Sequence, residues 1–300
     1  MVKNDFDVQQ FKDVAKEALS VSGAYIHSVI LSSICVSEYD VKDDKTLVTK
    51  VDKESQKIAC PIILKNLPDY KLKQEESEEY LGNLNSDIVI YHDPLDGTRG
   101  FVLGGLAQTV ILGAYDSAQK IVLAAATMEP ISGRFWFSAR GEGTEQSIFD
   151  YSRGTGWGTL NRKLKVNDYK LSDRGCIFTE TNSPYKDNMT LAGRLKLSEE
   201  IQKAGGKESS LLGNGIHYAL VASGRPTLIG VITTARGGPQ DLSGILHVKE
   251  SGGVVQCYNI KEKALYPLGE DIESARVAIG ANNTNTLNKL EKALSLAVSY

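Results

Sequence analysis

The four cysteines, Cys35, Cys60, Cys176 and Cys257, are widely scattered with no C-x-x-C pair, which argues against a disulfide framework or a zinc site and fits a reduced compartment. No apolar run is long enough to span a bilayer. The longest, around "AYIHSVILSSI", is short and interrupted by polar residues, and "MVKNDFDVQQF" has no apolar signal region, so a cytoplasmic protein is expected. Nor is there a net positive field. With 34 basic and 37 acidic side chains the charge is −3, which argues against a nucleic-acid polymer or an anionic membrane as partner. Internal repeats and low-complexity tracts are absent. "GTGWGT" lacks the Walker lysine and the Rossmann strand context, and "AGGKESS" fails as a nucleotide loop for the same reason.

What the chain does have is 300 residues and 41% hydrophobic content, enough for a large core and about two domains. Phe6, Phe11, Val14, Ala15, Ala18, Leu19, Ile26, Val29 and Ile30 recur at helical spacing. "VDKESQKIACPIILKNL" reads as a second helix, with Pro61 as a kink or early stop. "SDIVIYHD", "AQTVILGAYD", "KIVLAAATM" and "GRFWFSAR" read as strands of a mainly antiparallel sheet. Glycine-rich "SRGTGWGTLNRK" places a boundary near residue 152, between an N-terminal α+β domain (1–152) and a C-terminal α/β domain (153–300). In the second half "CIFTET", "PTLIGVITT", "GGVVQCYNI" and "ARVAIGAN" read as strands. "NMTLAGRLKLSEEIQKAG", "GIHYALVAS", "QDLSGILHVKES" and "TNTLNKLEKALSLAV" read as helices.

The stretch "IVIYHDPLDGTRGF" closes an apolar strand with two carboxylates, Asp93 and Asp96, at the end where side chains project into a cleft. Two ionised carboxylates this close repel unless one is protonated or a cation intervenes, and hard oxygen ligands favour magnesium or calcium over zinc. Gly97 permits close backbone approach, and the Gly97 and Thr98 amides can meet a phosphate if a helix starts there. An ordinary acidic turn is the open alternative. Asp52, ending "TLVTKVD", and Glu75, in "QEES", flank the second helix and can return to the same cleft. Taken singly, Asp52 suits a helix first turn and Glu75 a solvated charged run.

Together, "VKDDKTLVTKVD", "QEES", "DPLDGTRGF" and "ESGG" resemble in order and spacing the K-x-D-x-S-P-V-T-x-x-D, G-E-E-S, D-P-[IL]-D-G-T-[KR]-G-F and E-A-G-G blocks of a known family. It is the magnesium-dependent, lithium-sensitive phosphatase family that includes inositol monophosphatases and 3'(2'),5'-bisphosphate nucleotidases. The resemblance implies a layered α/β sandwich of the sugar-phosphatase type, with the site in the cleft between two domains. It implies Glu75, Asp93, Asp96 and the Leu95 carbonyl as ligands of roughly two or three Mg2+ ions. Asp52 and Thr98 would orient the attacking water and take its proton. The last family ligand is the aspartate of a W-D-x-A-x-G segment. In "GGPQDLSGILHVKESGG", counting back from Glu250 puts Gln240, not Asp241, at that position, and the tryptophan is absent. Either the turn is remodelled by one residue and Asp241 still binds metal, or one metal position is weakened.

Arg99-Gly100-Phe101 resembles the bisphosphate nucleotidase branch. The expected reaction is removal of the 3'-phosphate of 3'-phosphoadenosine 5'-phosphate to give AMP, with the 5'-phosphosulfate analogue as a second substrate and lithium as an inhibitor. Gly97, Thr98, Arg99, Asn214 and His217 are then the expected substrate contacts, His217 standing before Tyr218 where that branch has a lysine. A partly buried helix residue is the alternative for His217. Glu180 and Thr181 either contact substrate or cap the next segment. Rival expectations are an inositol polyphosphate 1-phosphatase and a catalytically weak nucleotide or metal sensor; a monomer is expected.

Overall fold

The computed structural model describes residues 6–32, 39–42, 47–153, 156–158, 162–180, 189–211, 213–234 and 238–300. Helix α1, Val8–Leu31, starts at Asp7, whose carboxylate accepts the Gln10 N–H at 2.8 Å, and turns Phe11, Val14, Ala15, Ala18, Leu19 and Ile26 inward. A hairpin of β1 (Tyr39–Val41) and β2 (Leu47–Thr49) leads into α2 (Lys50–Asn66). Thr49 and Asp52 cap α2 reciprocally, and the helix continues past Pro61.

Then come β3 (Lys71–Gln74), β4 (Tyr80–Gly82), β5 (Ile88–Asp96), the short α3 (Thr98–Val102), β6 (Thr109–Asp116), β7 (Ile121–Glu129), β8 (Arg134–Ala139), β9 (Gly143–Asp150), β10 (Gly156–Trp157) and β11 (Arg162–Lys163). Among the described residues these strands after β2 form a nine-stranded sheet, β10-β9-β8-β7-β6-β5-β3-β4, with β11 also on β9. Its pairings are antiparallel except β3 with β5. Because β10 and β11 belong to it, the boundary expected near residue 152 falls inside this sheet, which extends to Lys163.

The rest of the chain supplies β12 (Cys176–Glu180), α4 (Leu191–Lys203), β13 (Lys207–Ser209), α5 (Asn214–Ala222), β14 (Leu228–Thr234), α6 (Ile245–Glu250), β15 (Val254–Lys261), β16 (Ala264–Gly269), β17 (Val277–Ala281) and α7 (Thr284–Val298). The strands form a mixed six-stranded sheet, β13-β12-β14-β17-β15-β16. β16 has no signature in the sequence because Pro267 interrupts its strand pattern; as an edge strand it tolerates proline. "QDLSGILHVKES" is not one helix. Pro239–Leu242 forms a 3-10 turn, and α6 starts only after Ser243 and Gly244.

Among the described residues, the three largest of four hydrophobic clusters stack these elements into alternating helix and sheet layers. The first joins α1 and α2 to one face of the large sheet through Leu19, Ile63, Ile90 and Leu112. The second joins its other face to α5, α6 and the second sheet through Tyr91, Tyr115, Tyr218, Leu246 and Val231. The third covers the far side of that sheet with α4 and α7. The middle layer carries a buried polar clamp. His247 of α6 lies 3.0 Å from Thr127 Oγ1 and 2.6 Å from Ser138 Oγ, and Thr144 Oγ1 donates to the His247 carbonyl at 2.8 Å. Because Ser138 itself donates to Thr144, a neutral ring with its proton on Nδ1 satisfies the whole chain of bonds. No described helix is long and apolar enough to cross a membrane.

Candidate metal centre

A regular strand would point Asp93 and Asp96, three apart, to opposite faces. β5 avoids this with a bulge. Asp93 pairs with Ile111 and Asp96 with Thr109, so three steps on β5 match two on β6, and both carboxylates emerge on one side. Pro94 has no N–H for the ladder, and the Leu95 N–H turns instead to Asp93 Oδ1 at 2.9 Å. Asp241 arrives from the 3-10 turn of the second half, and carboxylate oxygens of Asp93, Asp96 and Asp241 lie within 4.8 Å of one another. Gly113 of β6 makes this approach possible, since a Cβ there would stand 2.4 Å from Ser243 Cβ. The Gln240 amide folds back beside Gly238, where an added Cβ would meet its Oε1 at 2.8 Å. The tight 3-10 winding therefore presents residue 241 to the cluster where sequence counting points to 240.

Asp96 is held from three directions. Thr109 Oγ1 donates at 2.7 Å, Asn214 N at 2.9 Å and Gly215 N at 2.8 Å, so the first turn of α5 points at this carboxylate. Gly215 permits the contact, because a Cβ there would meet Thr109 Oγ1 at 2.8 Å. Asp52, fully buried, accepts from Thr49 N at 2.8 Å through Oδ2, while its Oδ1 lies 2.8 Å from Thr98 Oγ1. The Leu95 carbonyl is 3.0 Å from the same hydroxyl, so the single Thr98 proton has two acceptors to choose between. Gly97, in the left-handed region with φ 88°, turns the chain from β5 into α3. Glu75 follows β3, its N–H on the His92 carbonyl at 3.0 Å, and lies close enough to raise the Asp93 pKa.

The electrostatics call for a cation. Burial, then the charges of Glu75, Asp96 and Asp241, push Asp93 far above the usual carboxylate range. Burial lifts Asp96 to about 6 despite its three donors, and Asp52 to about 6 against the hydrogen bonds from Thr49 and Thr98. Among the described residues no lysine or arginine pairs with Asp93 or Asp96. A set of buried, mutually repelling carboxylates fits a hard divalent cation, which would allow all of them to ionise together. Lys42, absent from the expected site, lies 3.2 Å from Glu75 and 2.7 Å from Glu76. Burial lowers its pKa, but the two glutamates outweigh that and hold it above the ordinary lysine range.

The sequence profile of the Inositol monophosphatase family matches residues 7–296. The chain belongs to that family. It is 26% identical to an inositol-1-monophosphatase of Synechocystis sp., over 96% of this chain and 90% of that protein. A fructose-1,6-bisphosphatase/inositol-1-monophosphatase of Aquifex aeolicus is 24% identical over 83% of this chain and 86% of its own length. The crystal structure of the extragenic suppressor protein SuhB of Bartonella henselae shares the fold, with TM-score 0.75 and 22% identity over 95% of this chain and 98% of that one. As an inositol monophosphatase family member the chain is a phosphatase, and dependence on a metal, typically Mg2+, is a property of the family.

Of the expected substrate contacts, Arg99 is exposed at the start of α3 and Asn214 is buried beside Asp96. His217 requires correction. It is fully buried, stacked on Phe178 at 4.4 Å, and its Nε2 accepts the Leu211 N–H at 3.0 Å. Burial pulls its pKa down to about 3, so the ring is neutral and serves the core of α5, not a phosphate. Glu180 is engaged by Ser210 at 2.8 Å, and Thr181 lies outside the described residues. Sequence reasoning missed Thr49, Thr109 and Lys42. The T-x-x-D capping pattern could have found Thr49, and Lys42 sits in the quoted "VKDDK" block; Thr109 has no local signal.

The placement of Asp241 beside Asp93 and Asp96 gives a direct expectation. Asp241→Asn should raise the Mg2+ concentration for half-maximal rate by about tenfold or more, while Gln240→Ala has a smaller effect. The reverse order in a Mg2+ titration of both variants would move the ligand to residue 240.

Proposed function

We propose that the chain is a Mg2+-dependent phosphomonoesterase for small phosphorylated metabolites, and that its preferred reaction is release of the 3'-phosphate of 3'-phosphoadenosine 5'-phosphate, with the 5'-phosphosulfate analogue as a second substrate. The observation that carries the reaction class is the buried Asp93, Asp96 and Asp241 cluster, within 4.8 Å, next to the 2.8 Å Asp52–Thr98 pair, whose hydroxyl also meets the Leu95 carbonyl. Glu75, Asp93, Asp96, Asp241 and the Leu95 carbonyl would hold the metal. When bound, Mg2+ supplies positive charge at the phosphate oxygens and makes water more acidic. Thr98 Oγ1 would draw a proton from the attacking water while passing its own to Asp52. A threonine hydroxyl alone is a poor base, and a buried carboxylate with a pKa of about 6 is a competent acceptor for it.

Substrate choice rests on Arg99. It is exposed one residue beyond Thr98, has no ion pair among the described residues, and suits a second phosphate on the ester. With His217 withdrawn, this is the support that remains for a doubly phosphorylated substrate. The test is phosphate release in Mg2+ buffer from the nucleotide, inositol 1-phosphate, inositol 1,4-bisphosphate and fructose 1,6-bisphosphate side by side. Selective release from the nucleotide supports the full reading. Preference for a polyol or sugar ester keeps the metal chemistry and replaces the substrate, and release from none of them favours a binding or sensing role.

A further inference from the structure

Strands β3 and β5, the parallel pair of the large sheet, have Gln74 and His92 as their last matched residues. One residue further, each delivers a carboxylate to the metal centre: Glu75 from β3 and Asp93 from β5. Matched residues on neighbouring strands project to the same face. Here that face is the helix-covered one, because Leu72, Ile88 and Ile90, which share its parity, belong to the core beneath α1 and α2. Two polar side chains, 3% and 0% exposed, are thus placed in an apolar layer.

Their polar atoms are not satisfied by the protein. Neither His92 Nδ1 nor His92 Nε2 has a partner among the described residues, and Gln74 Nε2 meets no partner better than a thiol. Gln74 lies against Cys60 of α2, a weak hydrogen-bonding group. A neutral imidazole presents one donor and one acceptor, and an amide nitrogen presents two donors. Buried groups of this kind are costly when left dry and are ordinarily satisfied by ordered water. Among the described residues no cation is recorded on either side chain to hold an anion there, whereas water can both donate and accept.

We infer that Gln74 and His92 form a site for internal water, and that this hydrated pair is a positioning element fixing the ends of β3 and β5 and so the spacing of Glu75 and Asp93. The positioning role rests on the metal-centre reading above; the water site does not.

A high-resolution crystal structure of the metal-free protein is expected to show an ordered water about 2.7–3.2 Å from a His92 ring nitrogen or the Gln74 amide. His92→Leu and Gln74→Leu should each lower the melting temperature by leaving the other partner and the water under-bonded. The double variant, with neither polar group left, should lose less than the sum of the two. His92→Leu should also weaken Mg2+ binding, read by calorimetry, by about tenfold, and His92→Gln should recover part of that loss. Should His92→Leu not fold, Gln74→Leu carries the same measurements. A dry pair, or single variants that melt at or above the parent temperature, would overturn the water site. Ordered water with Mg2+ binding unchanged in the variants would overturn the positioning role. Absence of phosphatase turnover touches neither the crystallographic nor the melting result.

Discussion

Asp93→Asn should lose phosphate release by about a thousandfold or more, some 4 kcal/mol of barrier at about 1.4 kcal/mol per factor of ten, while the metal-free chain folds and melts higher than the parent. The two halves of that expectation have one cause. Asp93 stands against Glu75, Asp96 and Asp241 in a site where burial already disfavours charge, so a neutral amide relieves repulsion in the empty cluster. The same amide is a far poorer partner for a divalent cation, and the stabilisation that Mg2+ confers on the parent should largely vanish. Paired activity and melting measurements, with and without Mg2+, decide it. A folded variant with undiminished turnover would falsify the assignment of the site.

Magnesium should stabilise the protein little near pH 5 and strongly above pH 7. In the metal-free fold burial raises Asp52 and Asp96 to about 6 and Glu76 to about 7, and Asp93 is pushed well above the carboxylate range, against the roughly 3.9–4.3 of unfolded carboxylates. The folded chain therefore holds extra protons between pH 4 and 7. Their contribution to stability is full below pH 4 and is lost as pH rises through the folded values. A cation must displace those protons at low pH and replaces a missing charge at high pH; at a hundredfold excess over its Kd it adds about 2.7 kcal/mol. The histidines act in the opposite direction. His92, His217 and His247, all held near 3 by burial, bind protons only when unfolded between about pH 3 and 6.5, so each removes up to about 1.4 kcal/mol per pH unit as pH falls through that window. With Mg2+ bound and the carboxylates kept ionised, acid unfolding should be steeper than without it. Calorimetric melting from pH 5 to 8 with and without Mg2+ tests both signs, and an equal Mg2+ shift at both ends would count against the buried acid cluster.

The layered fold was legible because its long elements carry unmixed periodicity: α1 and α7 at helical spacing, β5 to β8 as apolar runs. Glu75, Asp93 and Asp96 were legible because their turn residues lie next to them in the chain. What sequence could not supply was geometry set from a distance. Nothing near Asp93 announces the bulge that brings Asp96 to its side, since the register is fixed by β6. Counting from Glu250 points to Gln240, and only the four-residue 3-10 turn, which sequence does not announce, shows Asp241 reaching the cluster. His217 looked like a phosphate contact through its neighbours in the chain, whereas Phe178, far away in sequence, makes it core.

The middle helical layer has a further consequence for how the chain holds together. α5 and α6 lie between the two sheets, and their side chains belong to a core that both sheets share. A fragment ending at residue 152 would therefore expose Tyr91, Tyr115, Val122 and Ala125 together, and it would lack Asp241. The two halves follow one another in sequence and share this core. Hydrogen exchange in β5 and α6 should report a single opening event, and the ion between them would act as a rivet across a seam that the backbone never crosses at that point.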